Sequence, residues 1–479
     1  MITINPAMLC DYYQLTMCNG FFRSGIADRI AYYDLFFRRV PEGGGYAVCA
    51  GLEQIVGYIE NLHFTGKDID FLRKKGIFHS GFLDYLRNFR FEGDIYAVPE
   101  GTPVFPDEPL ITVRAPAIQA QLIETMLLLL LNHQSLIATK ASRIVRAACG
   151  RKVAELGSRR AQGASAAVLG ARAAYIGGVY GSSCTLSDEL YNVPAMGTTA
   201  HSWVQMFNTE LEAFCEYCRI YPENTVLPVD TYNVLKSGIP NAIKAFDRVL
   251  KPLGARPSGI RLDSGDIAVL SSKARKMLDE AGYTDCRIIA SGSLDEHKIS
   301  ELVSRGAAVD VFGVGERLIT SAADPVFGGV YKLCAIEDNG VIIPKIKISE
   351  NVRKITNPHF KKVYRIFDNE SGKALADLIC LYNEKIEAGK PLPIKETVLF
   401  HGENSIGNFT ARELQVPVFI GGKRVYQLPK TDEIRTCCSR QLENIKASVL
   451  RSDNPERYPV ELSRRLWDIK RKLLSENGE

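Results

Sequence analysis

The sequence lacks the features that mark membrane, secreted and repeat proteins. No stretch approaches the ~20 apolar residues that a bilayer-spanning helix needs, and the most apolar run, residues 126–131, predicts a buried helix. The opening segment MITINPAMLCDYYQ has neither a basic stretch nor an apolar core, so we expect no secretory signal. Internal repeats, low-complexity tracts and long linkers are missing as well. These absences favour an ordinary globular chain with no membrane partner.

Strong charge and a cysteine framework are also missing. The formal net charge is only +4, which argues against a general nucleic-acid or membrane binder, although local basic clusters remain available for phosphates. The 12 cysteines follow no repeating pattern. The close pairs Cys215/Cys218 and Cys437/Cys438 lack a second pair at the spacing of zinc ligands. We therefore expect reduced thiols and a cytoplasmic protein.

Length and composition predict several domains of ordinary globular type. Hydrophobic residues make up 46% of the chain and charged residues 24%, and 479 residues predict two or three domains. Residues 1–150 mix helices with a strand-rich stretch punctuated by Pro and Gly. In residues 151–330 apolar runs alternate with amphipathic segments. From residue 331 short strands return, and the tail after Tyr458 is charged and of helical pattern.

The middle zone predicts parallel βαβ units. Short apolar runs recur at residues 153–156, 175–180, 225–229, 258–262, 286–290 and 309–313. Segments of helical period separate most of these runs. The segment after His201 would bury one stripe formed by Trp203, Phe207, Leu211, Phe214 and Cys218. Such alternation predicts an α/β fold, and about six or seven units favour a βα barrel over an open sheet.

Polar and glycine residues follow the apolar runs. The turns are Gly157-Ser158-Arg159, Gly181-Ser182-Ser183, Asp230-Thr231, Asp263-Ser264-Gly265-Asp266, Ser291-Gly292-Ser293 and Gly313-Val314-Gly315. In a βα barrel the carboxyl ends of the strands carry the active site. Glycine turns offer N–H groups to anions, arginine binds phosphate or carboxylate through two parallel hydrogen bonds, and carboxylates beside phosphate hold Mg²⁺ or hydroxyls. The set predicts a site for a phosphorylated sugar, with magnesium.

Each of these motifs also has a structural interpretation. The alternatives are a chance turn at Gly313-Val314-Gly315, a helix N-cap by Asp263 or Ser264, an ion pair of Arg261 with Asp263 or Asp230, and a purely structural His201. His201 stands just after a Gly-Thr-Thr turn and before a predicted helix, which favours a functional role. The motifs are therefore interpreted as a set.

Nine stretches of the chain together resemble one enzyme family. They are CDYYQLTM (10–17), FFRRVPEGGGYAVCAGLE (36–53), ELGSRRAQG (155–163), GTTAHSWVQ (197–205), LPVDTYNVLKSGIPNAI (227–243), IRLDSGD (260–266), VFGVGERLIT (311–320), GVYKLCAIE (329–337) and NPERYPVELS (454–463). They occur in family order from residue 10 almost to the C-terminus. The chain resembles the nicotinate phosphoribosyltransferases.

The resemblance implies a fold and a reaction. The fold would be that of type II phosphoribosyltransferases, an irregular βα barrel (151–330) packed with an α/β domain formed from residues 1–150 and the returning 331–479. The reaction would convert nicotinate and phosphoribosyl pyrophosphate to nicotinate mononucleotide and pyrophosphate, coupled to hydrolysis of ATP, in NAD biosynthesis. The resemblance also implies a homodimer with shared active sites.

Three residues acquire implied roles in coupling and in subunit sharing. His201 matches the histidine that ATP phosphorylates in this family. Tyr13 matches an aromatic residue that stacks on the pyridine ring and reaches the pocket from a neighbouring subunit. Arg38 would approach a phosphate across the same interface. Phosphohistidine would serve as an energy-coupling step that biases the enzyme toward a high-affinity state.

Further matched positions would surround the substrates. Thr198 and Arg261 match residues that contact nicotinate. Arg159, Asp230 and Asp263 match residues that line the ribose and pyrophosphate region, where Mg²⁺ would be held through the two aspartates. The 5-phosphate would be contacted by the N–H groups of Gly292, Gly313 and Gly315, with Lys332 nearby.

Five positions bear on what distinguishes this chain. Ser183 aligns with an Asp of the nicotinamide enzymes; an Asp would repel a carboxylate, whereas a serine hydroxyl donates to it. Ser183 as a simple turn residue is the alternative. Leu156 stands where those enzymes have Phe, Glu316 where many family members have Thr, and His359-Phe360 alters the usual Asn-Pro-Gly turn.

Two other functions remain open from the sequence. A nicotinamide- or quinolinate-using phosphoribosyltransferase would share the fold, but a quinolinate enzyme needs extra positive charge and usually has a shorter chain. A non-catalytic phosphosugar sensor would be expected to have lost His201, Asp230 or Asp263, and all three are present.

Overall fold

The computed structural model describes residues 5–351, 354–387 and 408–477. The chain divides into two units. The terminal unit consists of Met1–Leu136, Val326–Pro429 and Thr436–Glu479, and the central unit consists of Ile137–Pro325 and Lys430–Arg435. The predicted domain boundaries at residues 150 and 330 stay a prediction.

The first part of the chain begins with short helices and strands and ends in a long helix. Its elements are α1 (Tyr12–Arg23), β1 (Ile30–Phe37), β2 (Ala47–Val48), α2 (Leu52–Asn61), α3 (Gly66–Lys74), α4 (Ser80–Arg87), β3 (Asp94–Ala97), β4 (Pro103–Val104), β5 (Ile111–Pro116), α5 (Ala117–Leu122) and α6 (Glu124–Ala147). Ala117–Ala147 is long and apolar enough to cross a membrane, yet 61% of its most apolar window is buried inside the protein. Such burial is typical of a core helix, and the predicted buried helix is confirmed at Leu127 and Leu131.

The central unit alternates strands and helices. Its elements are β6 (Lys152–Glu155), α7 (Ala164–Ile176), β7 (Gly181–Ser182), α8 (Thr185–Tyr191), α9 (His201–Gln205), α10 (Glu210–Ile220), β8 (Val226–Pro228), α11 (Ile239–Ala245), β9 (Gly259–Leu262), α12 (Ile267–Glu280), β10 (Arg287–Ala290), α13 (Glu296–Ser304), β11 (Val311–Val314) and α14 (Glu316–Ile319). The six strands form one wholly parallel sheet in the order β7-β6-β11-β10-β9-β8. The α/β fold class is confirmed.

The strand order bears directly on the predicted barrel. β6 pairs with β11, so the first strand of the unit lies beside the last, as a closed barrel requires. Among the described residues, however, β7 and β8 do not pair with each other. The sheet therefore has two edges, and the closed barrel stays a prediction.

Two details of the predicted central zone are wrong. The run 175–180 is not a strand, because Gly177 and Gly178 end α7 and Gly178 adopts φ 111°. The single helix after His201 is two helices, because Thr209 caps α10 by accepting a hydrogen bond from the Glu212 N–H at 3.2 Å. The other five apolar runs are confirmed as strands.

The last part of the chain returns to strands. Its elements are β12 (Gly329–Asp338), β13 (Val341–Pro344), β14 (Lys361–Asp368), β15 (Ala374–Leu381), β16 (Phe409–Glu413), β17 (Val416–Ile420), β18 (Lys423–Arg424), α15 (Thr431–Glu443), β19 (Val460–Leu462) and α16 (Arg464–Asn477). Strands from both chain ends form a seven-stranded antiparallel sheet, β13-β12-β1-β5-β3-β17-β18. A second sheet, β16-β14-β15-β19, and the small pair β2-β4 complete the terminal unit.

Candidate active site

The predicted site turns of the central unit all lie at the carboxyl ends of the strands of its sheet. All six strands run parallel, so their carboxyl ends meet at the same edge. The residues placed there are Arg159 after β6, Ser183 after β7, Asp230 after β8, Asp263 after β9, Gly292 after β10 and Gly315 after β11. The expectation that these turns share an edge is confirmed. Their chemical roles stay predictions.

Asp230 and Asp263 are joined through the backbone. Asp230 Oδ2 accepts a hydrogen bond from the Asp263 N–H at 2.8 Å and from the Ser264 hydroxyl at 3.1 Å. Asp263 Oδ1 in turn accepts from the Ser291 hydroxyl. The N-cap of α12 is Asp266, which accepts from the N–H groups of Ala268 and Val269. The alternative that Asp263 or Ser264 caps this helix is therefore wrong.

The free atoms of the two aspartates fit a divalent cation. The Asp230 side chain is 2% exposed, and its Oδ1 is buried without a hydrogen-bond partner in the described residues. Asp263 is exposed on the same edge. Two neighbouring aspartates, one of them with a buried oxygen that has no partner in the described residues, offer the oxygen ligands that Mg²⁺ prefers.

His201 belongs to the same cluster. It is the first residue of α9, and its Nδ1 lies 3.0 Å from the Thr231 hydroxyl oxygen. Its Nε2 lies 3.9 Å from Asp230 Oδ1. The ring is thus oriented by a hydroxyl on one side and faces a carboxylate on the other. Sequence reasoning missed the contribution of Thr231, although it directly follows Asp230.

Arg261 and Thr198 are brought together. Arg261 Nη1 donates to the Thr198 hydroxyl at 2.6 Å, and the half-buried Arg261 has no acceptor for Nε among the described residues. No carboxylate in the described part of the chain forms an ion pair with Arg261, so the alternative of a structural ion pair with Asp263 or Asp230 is wrong. A half-buried guanidinium with unused donors beside a hydroxyl suits a ligand carboxylate.

Glu155 is a buried residue that the sequence analysis did not single out. Its carboxylate accepts from the Gly157 N–H and, at 2.6 Å, from the Ser182 hydroxyl. Ser183 N–H donates to the Glu155 carbonyl at 2.8 Å. Burial raises the pKa of Glu155, and the two hydrogen bonds partly oppose that rise. Glu155 therefore fixes the two turns that carry Arg159 and Ser183.

Ser183 itself is exposed at this edge. Its hydroxyl lies 3.1 Å from the Ser158 hydroxyl, in the neighbouring turn. Two adjacent hydroxyls can share one hydrogen bond and still donate a second to a ligand. The geometry thus accommodates either a ligand contact or a simple turn.

The site glycines have packing reasons of their own. Gly292 adopts φ 100°, and a Cβ there would overlap the Asp263 carbonyl. A Cβ at Gly313 would lie 2.5 Å from Leu156 Cδ1. Among the described residues, no acceptor takes the N–H of Gly292, Ser293 or Gly315 in a hydrogen bond. Close packing therefore requires glycine, while free N–H groups keep an anion role open.

Glu316 is partly neutralised by a neighbour. Its Oε2 lies 3.7 Å from Arg160 Nε, and both side chains are more than half exposed. The altered turn at His359 is also accommodated, since His359 takes φ 77°. That is the left-handed conformation in which glycine is usual, and here a histidine adopts it.

In the terminal unit, Arg38 and Lys332 line one cavity of about 770 Å³. Arg38 Nε is buried without a partner in the described residues. Burial lowers the pKa of Lys332; the charge of Glu124 opposes this shift, and the charges of Arg38 and Lys347 add to it. The buried ion pair of Lys361 with Asp34, at 2.7 Å, forms part of the wall. Lys332 and Arg38 thus place two basic side chains on this cavity, which favours an anionic ligand.

Tyr13 lies in the first turn of α1 and is 45% exposed. Partial burial and the charge of Glu124 raise its pKa, so its hydroxyl stays neutral. Tyr12 and Met17 on the same helix are also exposed, at 49% and 38%. α1 therefore presents an apolar, aromatic surface.

Comparison with known proteins covers nearly the whole chain. Residues 8–132 match the N-terminal domain of nicotinate phosphoribosyltransferase, 151–371 match the nicotinate phosphoribosyltransferase family, and 360–470 match its C-terminal domain. The chain is 44% identical over 469 residues to nicotinate phosphoribosyltransferase of Bacillus subtilis, covering 97% of this chain and 94% of that protein. It is 30% identical to the Homo sapiens protein of the same name, over 96% and 95% of the two chains.

Solved structures agree with these matches. The crystal structure of human nicotinic acid phosphoribosyltransferase superposes with a TM-score of 0.84 at 29% identity, covering 97% of this chain and 99% of that chain. A nicotinate-nucleotide pyrophosphorylase from Pyrococcus furiosus, at 24% identity and a TM-score of 0.71, shares the fold. The chain belongs to the nicotinate phosphoribosyltransferase family.

Proposed function

We propose that this protein joins nicotinate to the ribose 5-phosphate of phosphoribosyl pyrophosphate, giving nicotinate mononucleotide and pyrophosphate in NAD biosynthesis. The observation that carries this proposal is the half-buried Arg261, whose guanidinium has an unused Nε and is held by Thr198. It stands two residues before Asp263, so a carboxylate recognition group lies beside a predicted pyrophosphate site. Family membership supports the same substrates.

Arg261 and Thr198 bind and orient the acid. The guanidinium pairs with the nicotinate carboxylate, and this contact points the ring nitrogen at the ribose C1. The nitrogen is unprotonated near neutral pH, so no general base is needed. Positioning at a fixed distance supplies several kcal/mol of the barrier reduction through effective concentration.

The departing pyrophosphate needs positive charge. C1 becomes oxocarbenium-like as its bond to the pyrophosphate oxygen breaks and the bond to nitrogen forms. Asp230 and Asp263 would hold Mg²⁺, which when bound neutralises the leaving anion. Arg159 is exposed after β6 and would approach the same region. The free N–H groups of Gly292 and Gly315 would receive the 5-phosphate, and the family resemblance adds Gly313 to them.

His201 couples ATP to this reaction. The γ-phosphoryl group passes from ATP to the imidazole as the P–O bond to ADP breaks and a P–N bond forms. Asp230 Oδ1 faces the ring at 3.9 Å and stabilises the positive charge that the ring acquires, while Thr231 fixes its orientation at 3.0 Å. Hydrolysis of the phosphohistidine then returns the enzyme to its starting state, with release of phosphate.

The active site is shared in a homodimer. Tyr13 stacks on the pyridine ring of a neighbouring copy, and Arg38 contacts a phosphate there. The exposed aromatic surface of α1 and the unpaired Arg38 Nε support this arrangement. A cytoplasmic location suits the 12 cysteines, all of which are free thiols.

A nicotinamide enzyme is the second candidate. It is disfavoured because Ser183, and not a carboxylate, stands at the turn beside Ser158. Purified protein should therefore turn over nicotinate far faster than nicotinamide or quinolinate when each is assayed with and without ATP. Faster turnover of nicotinamide than of nicotinate would contradict the proposal.

The coupling step has its own experiment. Incubation with γ-labelled ATP should give an acid-labile, base-stable phosphoprotein, and His201→Asn should remove the label. His297, exposed on α13, provides the matched control, since His297→Asn should keep the label. A wild-type protein that consumes no ATP during turnover and carries no phosphate would contradict the coupling.

A further inference from the structure

A second basic cavity lies at the amino ends of the parallel strands, opposite the carboxyl ends that carry the candidate active site. It has a volume of about 530 Å³, and its charged lining residues are Arg151, Lys152, Arg275, Arg287 and Asp310. All but Arg275, which lies on α12, stand at the amino ends of the strands. β6 begins at Lys152 and β10 begins at Arg287, and β11 lies between these two strands. We call this cavity the amino-end pocket.

The cations of the amino-end pocket are not equivalent. Arg275 is committed to the fold, because it donates to the Cys286 and Tyr283 carbonyls at 2.6 Å each and to Asp279 at 2.8 Å. Arg151 uses its Nε on the Val309 carbonyl at 3.0 Å. Within the described residues, neither Arg151, Lys152 nor Arg287 forms an ion pair. Three positive charges therefore lack a carboxylate of their own.

The one acidic lining residue does not neutralise them. Asp310 Oδ2 accepts the Ile288 N–H at 2.8 Å, which ties this carboxylate to the backbone of β10. One negative charge against three leaves an excess that matches a doubly charged anion. Such an excess in a concave site focuses a positive potential.

Tyr180 lies beside two of the free cations. Lys152 Nζ is 5.3 Å from the centroid of the Tyr180 ring. Burial raises the pKa of Tyr180, and the nearby charge of Arg287 opposes that rise. Lys152 and Arg287, which start strands on either side of β11, thus come near the same side chain. Tyr180 does not itself line the pocket, and its ring places the side chains of Lys152 and Arg287 near each other.

We propose that the amino-end pocket binds a phosphate group through Lys152, Arg287 and Arg151. β6 has four residues, so it separates this pocket from the turn that carries Arg159 by about 13 Å. One phosphate group therefore cannot contact residues at both the amino and the carboxyl ends of the strands. The pocket touches the starts of β6, β10 and β11, whose other ends carry three of the site turns.

The test measures phosphate binding with the carboxyl-end site filled. Full-length protein saturated with nicotinate mononucleotide is titrated with radiolabelled inorganic phosphate by equilibrium dialysis. The proteins are wild type, Lys152→Gln/Arg287→Gln and the charge-matched control Lys251→Gln/Lys273→Gln, all four positions being exposed in the central unit. Wild type and control should bind phosphate, and the pocket variant should bind it at least about tenfold more weakly, since two charge-assisted hydrogen bonds are lost.

Equal affinity in all three proteins, or no phosphate binding by wild type, would overturn the proposal. The single variant Arg287→Gln repeats the measurement with only one of the two positive charges removed. Equal melting temperatures establish that each protein is folded. A parallel titration with AMP identifies the source of the phosphate. Tighter binding of AMP than of phosphate, lost in the same variant, assigns it to a nucleotide; equal binding assigns it to the free anion.

Discussion

Arg365 in the terminal unit and Arg261 in the central unit both lie on β-strands, yet their guanidinium groups have opposite surroundings. Arg365 is 2% exposed and donates to both oxygens of Asp377, at 2.8 and 2.5 Å, and to the Pro103 carbonyl at 2.8 Å. Tyr458 donates a further hydrogen bond to Asp377 at 3.0 Å. Within the described ranges, Arg261 makes one side-chain hydrogen bond, to Thr198, and leaves Nε unused.

The difference separates a structural cation from a binding one. An arginine whose guanidinium is paired with a buried carboxylate holds two β-strands together, and its removal leaves that carboxylate buried without a cation. Where donors remain at the carboxyl edge of a parallel sheet, the arginine is prepared for an acceptor from outside the chain. The two arginines should therefore fail in different assays.

The largest expected effect is on stability. Arg365→Ala should lower the free energy of unfolding by about 3–5 kcal/mol, because Asp377 would remain buried without its cation. Chemical denaturation followed by circular dichroism measures this loss. The control is Arg256→Ala, whose pair with Asp285 is about half exposed on both sides and should contribute less than about 1 kcal/mol. Equal losses in the two variants would break the comparison.

Arg261→Ala should act on binding. The kcat/KM for nicotinate should fall by a factor equivalent to about 2–5 kcal/mol, chiefly through KM, while the KM for phosphoribosyl pyrophosphate stays nearly constant. Arg261→Lys should recover part of the loss, since lysine keeps the positive charge but cannot donate two parallel hydrogen bonds to the carboxylate. If Ala substitution weakens both substrates equally, or neither, the assignment of Arg261 is wrong.

Ser183→Asp tests the choice of acid over amide. Two negative charges about 4 Å apart repel by about 4 kcal/mol at an effective dielectric of 20 and by about 1 kcal/mol in water. Ser183 is exposed on the central unit, so we expect the lower part of this range, about a tenfold loss of kcat/KM for nicotinate, with a trace of nicotinamide turnover. Ser183→Ala, which adds no charge, is the control. Near-wild-type kinetics for the Asp variant would place selectivity elsewhere.

A pH-dependent effect on stability concerns a carboxyl beside Arg365. Glu108 is fully buried, its Oε1 has no partner in the described residues, and burial raises its pKa well above the usual value, with the Asp377 charge adding to this. The native state then binds more protons than the unfolded chain, so stability falls as pH rises above the ordinary glutamate pKa. Each unit by which the pKa of Glu108 is higher in the native state than in the unfolded chain lowers the free energy of unfolding at high pH by about 1.4 kcal/mol.

Glu108→Gln keeps the neutral form and should remove this decline. Unfolding free energies at pH 5 and pH 8 should converge in the variant and diverge in wild type. The exposed Glu223→Gln serves as control and should leave the wild-type slope intact. A slope that persists in Glu108→Gln would mean that another buried group carries the proton.

Several features of the site could be predicted because they depend on local chemistry. The turn residues Asp230, Asp263 and Gly292 follow apolar runs, and parallel strands necessarily bring such turns to one edge. The break between α9 and α10 was missed, although Thr209 is a good N-cap. Trp203 fits the apolar period of one continuous helix, which hid the break. In the structure its Nε1 donates to the Ala213 carbonyl at 3.1 Å, so α9 packs against α10.

Other features depend on distant residues and left no local signal. Glu155 reads as one acidic residue at a strand end, and only the packing of β6 beside β7 directs its carboxylate to Ser182. Closure of the barrel is likewise undetermined by apolar periodicity, because periodicity shows that a strand is buried but not which strand it pairs with.

The sequence by itself determined the α/β class, the order of the site turns and the family, since strand periods, glycine turns and motif order are properties of neighbouring residues. Only the tertiary structure decided which polar groups are saturated and which remain free. Arg261 Nε and Asp230 Oδ1 have no hydrogen-bond partner among the described residues, because the fold brings no suitable group next to them. Arg365, by contrast, lies opposite Asp377 on two paired strands and forms an ion pair with it. Whether a charged side chain binds a ligand or holds the fold is a question of its partners, and partners are set by packing.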